Sequence, residues 1–190
     1  MELTGERLIP APLLATWAAL NDPEILKQCI AGCESLERTE PDAFAAVVAV
    51  KVGPVNARFK GTLKMTNVHA PHTYTINFDG QGGVAGFGKG SADVSLSKDG
   101  EDQTRLRYSA QAQVGGKMAQ VGARLIDAAA GKIAEDFFAA FDARLRPAQA
   151  PAVESAVPNE LASVEPAASK TWMWIAGAAV LIALLFWLRG

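Results

Sequence analysis

Along the chain the spacing of apolar residues shifts between two periods, and each shift predicts a change of structure. Residues 2–9 alternate loosely and predict a first strand, closed by Pro10 and Pro12. Leu13, Trp17 and Leu20 then share a face at i, i+4 and i+7, which predicts two short helices before residue 32. Asp22 fits the N-cap of the second, with Pro23 at its first position and Gly32 as its stop. Beyond Gly32 the period falls to two. Val48, Val50 and Val52 take one side of a strand, and Gly53-Pro54 predicts a bulge or tight bend. The cleanest alternation follows, with Val55, Ala57, Phe59, Gly61, Leu63 and Met65 on one face and Arg58, Lys60 and Lys64 on the other. Three more strands turn Tyr74, Ile76 and Phe78, then Ala92, Val94 and Leu96, then Leu106, Tyr108, Ala110, Ala112 and Val114 to the same side. Ala70-Pro71 and Asp99-Gly100 mark turns between them. The pattern predicts a meandering antiparallel sheet with one apolar face.

Residues 117–145 read as a single long helix. Val121, Leu125, Ala129, Ile133, Phe137 and Phe141 recur every four residues, Met118, Ala130, Ala134 and Phe138 lie beside them, and Pro147 ends it. Its apolar face must cover that of the sheet, which gives an α+β fold in which a curved sheet grips the helix. The middle of the helix is Ala128-Ala129-Ala130-Gly131, and the strands offer Ala57, Gly61, Ala92, Ala110 and Ala112 opposite. Small residues on both sides either let helix and sheet approach closely or leave an apolar cavity. The cavity reading names Phe59, Met65, Tyr74, Ile76, Phe78, Phe87, Tyr108, Ala110, Met118, Val121, Leu125, Ala129, Ile133 and Phe137 as its lining, suited to a hydrophobic ligand. The hydroxyls of Tyr74 and Tyr108 are the candidates to orient a ligand carbonyl, joined by Arg7 if the first strand has the right register.

Residues 147–170 are rich in Ala, Pro, Ser and Glu without a period, and predict a disordered tether spanning about 25–30 Å. The stretch 171–189 follows as an expected transmembrane tail anchor. Trp172–Leu188 holds no charged residue, lies between Lys170 and Arg189, and has Trp172, Trp174 and Trp187 near its ends, where indoles favour the bilayer interface. The first fourteen residues lack the long apolar core of a secretory signal. The expectation is therefore a domain of residues 1–146 facing the cytoplasm at the cytoplasmic membrane.

Charge and chemistry mainly exclude. A net charge of −2 provides no basic field for nucleic acid. Cys29 and Cys33 are spaced C-x3-C and, with only His69 and His72 as histidines, match no usual zinc pattern, so a reduced pair and no metal are expected. Residues 83–89, GVAGFGK, have the spacing of a phosphate loop up to the lysine, but Gly90 replaces the expected Ser or Thr and a strand follows. Residues 80–85 mimic a dinucleotide fingerprint without a strand–helix unit. Both read as one glycine-rich hairpin acting as a flexible lip to the cavity. No G-x-S-x-G is present and no segment pairs a nucleophile with a base, so no catalytic residue is assigned.

The order of elements resembles the START-like, helix-grip (SRPBCC) superfamily, and residues 1 to about 146 resemble more closely the CoxG family of carbon monoxide dehydrogenase accessory proteins. Ile30-Ala31-Gly32-Cys33-Glu34, Val52-Gly53-Pro54-Val55 followed by Phe59-Lys60-Gly61, and Gly86 through Gly90 leading into Val94 and Leu96 carry the resemblance. It implies a non-catalytic accessory protein, without metal or covalent cofactor, whose partner is a carbon monoxide dehydrogenase-type molybdenum hydroxylase recruited to the cytoplasmic membrane. Joined to the cavity reading, it implies a bound respiratory quinone or similar lipid carried between bilayer and enzyme. A docking scaffold without a ligand and a cyclase- or hydrolase-like enzyme of the same fold are the other classes left open.

Overall fold

The structure is a computed structural model that describes residues 1–146; the tether and the expected anchor lie outside the described residues. Among the described residues, no helix is long and apolar enough to cross a membrane. Strand β1 (Glu2–Ile9) leads into helices α1 (Leu13–Leu20) and α2 (Pro23–Cys29). Strands β2 (Cys33–Glu40), β3 (Ala43–Val52), β4 (Val55–His69), β5 (Thr73–Gln81), β6 (Phe87–Lys98) and β7 (Thr104–Gly115) follow, then helices α3 (Lys117–Gln120) and α4 (Ala123–Leu145). The strands form one antiparallel sheet in the order β1-β7-β6-β5-β4-β3-β2, a meander with β1 returned to its far edge. Helix α4 lies across the apolar face, touching β1 towards one side and β3 towards the other, with α2 packed against it. This is the gripped-helix α+β arrangement that the pattern predicts.

Local chemistry accounts for most boundaries. The Asp22 carboxylate accepts the Glu24 amide at 2.9 Å and Pro23 opens α2, as a capped helix start requires. Val52 pairs with Val55, so Gly53-Pro54 is a two-residue hairpin turn rather than a bulge. The period-two pattern does not resolve β2 as a separate strand. Its sequence CESLERTE buries only Leu36 among charged residues, as suits an edge that must not pair further.

The single helix expected over 117–145 is two. Gly122 takes φ +95°, so α3 stops before it and α4 starts anew after it. The four-residue repeat also misleads about facing. At 3.6 residues per turn, sixteen residues carry Leu125 about 160° around the helix from Phe141. Phe141 is accordingly 0% exposed and Leu125 50% exposed, and Ile133, midway, is 43% exposed.

Two solid clusters hold the fold. In one, Ile9, Leu20, Cys29, Leu96, Leu106, Phe138 and Phe141 join the end of α4 to β1, β6, β7 and the short helices. Within it the fully buried Thr104 hydroxyl donates to the Ala11 carbonyl at 2.8 Å, and the fully buried Thr16 hydroxyl donates to Thr104 Oγ1 at 3.2 Å. In the other, Leu36, Phe44, Met65 and Tyr74 pack together beside α1 and α2. Contacts divide the chain after Gln149. The unit Met1–Gln149 holds every described strand and both clusters, so it is complete as a folding unit.

Two glycines on the helical segment are expected to respond oppositely to alanine. Gly122→Ala forces a side chain into positive φ and is expected to cost about 1–2 kcal/mol. Gly131 lies inside α4 with nothing within 4 Å of an added Cβ, so Gly131→Ala is expected to gain about 0.5–1 kcal/mol. Urea denaturation of the two variants checks both signs. Asp142 provides a pH-dependent case. One of its carboxylate oxygens is buried without a partner, and burial raises its carboxyl above the usual range, against the opposing pull of Arg146 and Arg7. Its charge also sits in the last turn of α4, where the helix dipole disfavours an anion. A raised folded-state pKa means that ionisation weakens the fold as pH rises through that value. Asp142→Asn is therefore expected to raise the melting midpoint at pH 7, and to lose that advantage in acid where Asp142 is protonated; thermal melts at the two pH values check it.

Candidate functional site

The cross-strand register builds the site. Inward-facing positions of an antiparallel sheet line up in rows, and one row here is Ala46, Gly61, Gly80, Gly88 and Val114. Three consecutive glycines thus strip the side chains from the centre of the sheet. The next row, Phe44, Leu63, Phe78, Gly90 and Ala112, is only partly filled. Towards α1 and α2 the rows become bulky, through Met65 and Ile76 to Tyr74, Val94 and Tyr108. Over the glycine row, α4 presents Ala129 and Ala130. Small faces small, and an apolar cavity of about 420 Å³ remains between them. That lies within the range of roughly 300–1,000 Å³ usual for small-molecule sites.

Val48, Val50 and Val52 of β3 and Phe59 of β4 form one wall, and Met118 and Ile126 another. Met1, Phe87 and Ile133 are its exposed large apolar residues and mark where it meets solvent. Thr62 and Asp79 are the polar residues of the lining, and both occupy exposed, outward-phase strand positions. The interior presents carbon.

Of the residues predicted from sequence, Phe59, Phe78, Phe87, Met118, Ala129 and Ile133 come together around this cavity. Met65, Tyr74 and Ile76 lie instead in the second solid cluster, where the Tyr74 ring meets Trp17 edge-on at 5.4 Å. Burial pushes the Tyr74 hydroxyl pKa well up, which keeps it neutral. Tyr108 stacks on Phe138 at 5.4 Å, Phe137 stacks on Phe141 at 5.6 Å, and Arg7 lies over Phe138. Neither tyrosine nor Arg7 lines the cavity, so none of the three reaches a ligand carbonyl there. Ala110 sits in the row of Met65, Ile76 and Ala92, beyond the cavity's edge. Val121 and Leu125 wall a separate recess with Pro54, Val55 and Lys117, because the break at Gly122 and the drift of the repeat turn them outward. The glycine row and the β3 valines complete the lining. Their signal in the sequence is inward phase on neighbouring strands, readable only once the turn lengths fix the register.

The glycine-rich hairpin does not have the strand–loop–helix form of a phosphate loop. It makes a single 3-10 turn, Gly83–Ala85, and runs directly into β6. A Cβ on Gly86 would collide with the Gly115 carbonyl, so its glycine permits a close backbone crossing. Among the described residues no group of three or more His, Cys, Asp or Glu could hold a metal ion. Cys29 and Cys33 are free, and burial raises both thiol pKa values, which disfavours the reactive thiolate. The strongest charge network lies on the outer face, where the Glu6 carboxylate accepts Arg107 Nε at 2.6 Å and also pairs with Arg105. These arginines hold its pKa below the usual range.

Solved structures share this architecture. A conserved protein from Geobacillus kaustophilus is 28% identical, with a TM-score of 0.72 over 76% of this chain and 95% of that one. A Thermus thermophilus protein is 18% identical, with a TM-score of 0.60 over 79% of this chain and all of its own. A START superfamily protein from Mycobacterium smegmatis is 15% identical, with a TM-score of 0.58 over 76% and 96%. The fold is thus START-like. A comparison with curated proteins finds no match. The family model for CoxG, a subunit of carbon monoxide dehydrogenase, matches residues 5–146, which is most of the chain, and the protein therefore belongs to the CoxG family.

Proposed function

We propose that this protein is an accessory carrier that takes a hydrophobic, membrane-derived ligand, a respiratory quinone or similar lipid, into its cavity. In the same reading it recruits a carbon monoxide dehydrogenase-type molybdenum hydroxylase to the cytoplasmic membrane, where the enzyme's electrons pass to quinone. Family membership supports the partner class, and the apolar stretch Trp172–Leu188 supports the membrane.

The cavity carries the proposal. The space between α4 and the glycine row opens to solvent beside Met1, Phe87 and Ile133, yet its walls are almost wholly apolar, so wetting them costs free energy. A docking scaffold has no use for such a space, and a few larger side chains would close it. An apolar occupant offsets the cost, and the all-carbon interior suits a ligand whose ring or chain is bound by shape rather than by hydrogen bonds.

Residues 1–146, expressed without the tether in a quinone-producing host, are expected to purify with a quinone or other isoprenoid at about equimolar amount by mass spectrometry. Ala129→Phe and Gly88→Leu enlarge opposite walls, the latter at a position with nothing within 4 Å of an added Cβ. Both are expected to fold and to lose the ligand. A folded domain that is empty and takes up no added quinone would overturn the carrier.

A further inference from the structure

Three segments meet beside the cavity. They are the β3–β4 hairpin tip (51–56), the glycine-rich turn with the start of β6 (82–89), and the chain from the end of β7 into the first turn of α4 (115–126). A side-chain carbon of Leu125 lies 3.8 Å from where a Cβ on Gly53 would sit. Pro54, Val55, Val121 and Leu125 wall one recess together with Lys117. The 3-10 turn packs against α3, and the backbone of Gly86 crosses that of Gly115 and Gly116. Phe87 and Met118 connect this end to the cavity, since both line it.

The surface so formed has an unusual composition. Val84 is 86% exposed and Leu125 50% exposed, with Pro54 also in solvent. The three segments contain Lys51, Lys89, Lys117 and Arg124, and the acids beside them are Asp79, the cross-strand partner of Lys89, and Asp127, one residue beyond the third segment, which leaves a local excess of cations in a chain whose net charge is −2. Apolar tips beside an excess of cations match the two components of an anionic bilayer surface, acyl chains beneath phosphate headgroups.

We infer that this end of the domain docks on an anionic lipid bilayer, with Val84 and Leu125 entering the interface and Lys51, Lys117 and Arg124 lying near the headgroups. The opening beside Phe87 then faces lipid. This rests on the carrier reading of the cavity and gives it a route of entry. A cavity of about 420 Å³ holds a ring or a short length of chain, not a lipid reaching through a leaflet, which is about half of the 30 Å hydrocarbon core. The remainder of a long ligand needs apolar surroundings, and a docked bilayer supplies them without the ligand crossing water.

Co-sedimentation of residues 1–146 with vesicles tests this, comparing phosphatidylglycerol–phosphatidylcholine mixtures with phosphatidylcholine alone. Binding is expected only with the anionic lipid, and to weaken as salt is added. Each cation near such a surface contributes about fivefold, so Lys117→Gln with Arg124→Gln is expected to weaken binding on the order of 25-fold. Val84→Asp with Leu125→Asp is expected to abolish it, while Lys98→Gln, at the opposite end of β6, leaves it unchanged. All five positions are exposed, so the fold is not at stake. Equal binding to both vesicle types, no binding to either, or full binding by the Val84/Leu125 variant would overturn the docking. Ligand content measured on the same preparations separates the two ideas. An empty cavity with vesicle binding intact removes the carrier and leaves the docking, and a loaded cavity without vesicle binding does the reverse.

Discussion

The aromatic end of α4 anchors the helix on the sheet. Phe141 has no solvent exposure, and Phe137 and Phe138 pack around it with ring centres 5.2–5.6 Å apart. Tyr108 from β7 stacks on Phe138 from the sheet side. Rings of this size fill the space between α4, β1 and β7 at that end. Over the glycine row α4 presents Ala129 and Ala130 instead, which are too short to fill the space there. The cavity is thus produced by a size gradient along one helix, matched by the gradient across the sheet from the row of Tyr74, Val94 and Tyr108 to the row of three glycines.

This division explains how a domain with a large internal space remains well ordered. The solid half carries the stability: both clusters, the paired threonine hydroxyls and the packing of α1 and α2 lie there. The hollow half carries the apolar surface on which the carrier proposal rests. Among the described residues of the lining, Thr62 and Asp79 alone are polar, and both sit at outward-phase strand positions.

Much of this was legible in the sequence, for stated reasons. Period-two alternation over 55–66 and 104–114 identifies the inward face because one side of the sheet is solvated. The small residues at 128–131 indicate space because helix centres do not otherwise favour glycine. What was hidden depends on three-dimensional register. Tyr74 and Phe59 share an inward phase, yet they lie at opposite ends of the sheet, one in a solid cluster and one in the cavity wall. Strand β2 was hidden because an edge strand has little need of apolar residues, and the helix break because Gly122 looks like any helical glycine until its φ is known. The repeat 125–129–133–137–141 shows the same limit, since regular spacing in sequence is not constancy of direction on a 3.6-residue helix.

The unfilled space between Ala129 and the glycine row also has a mechanical consequence. Where α4 and the glycine row do not meet, the dispersion contacts that stiffen a packed interior are missing. On the carrier reading, a bound ligand supplies them by touching both walls. Loading would change the stiffness of the protein more than its shape, and a partner that senses rigidity could distinguish full from empty.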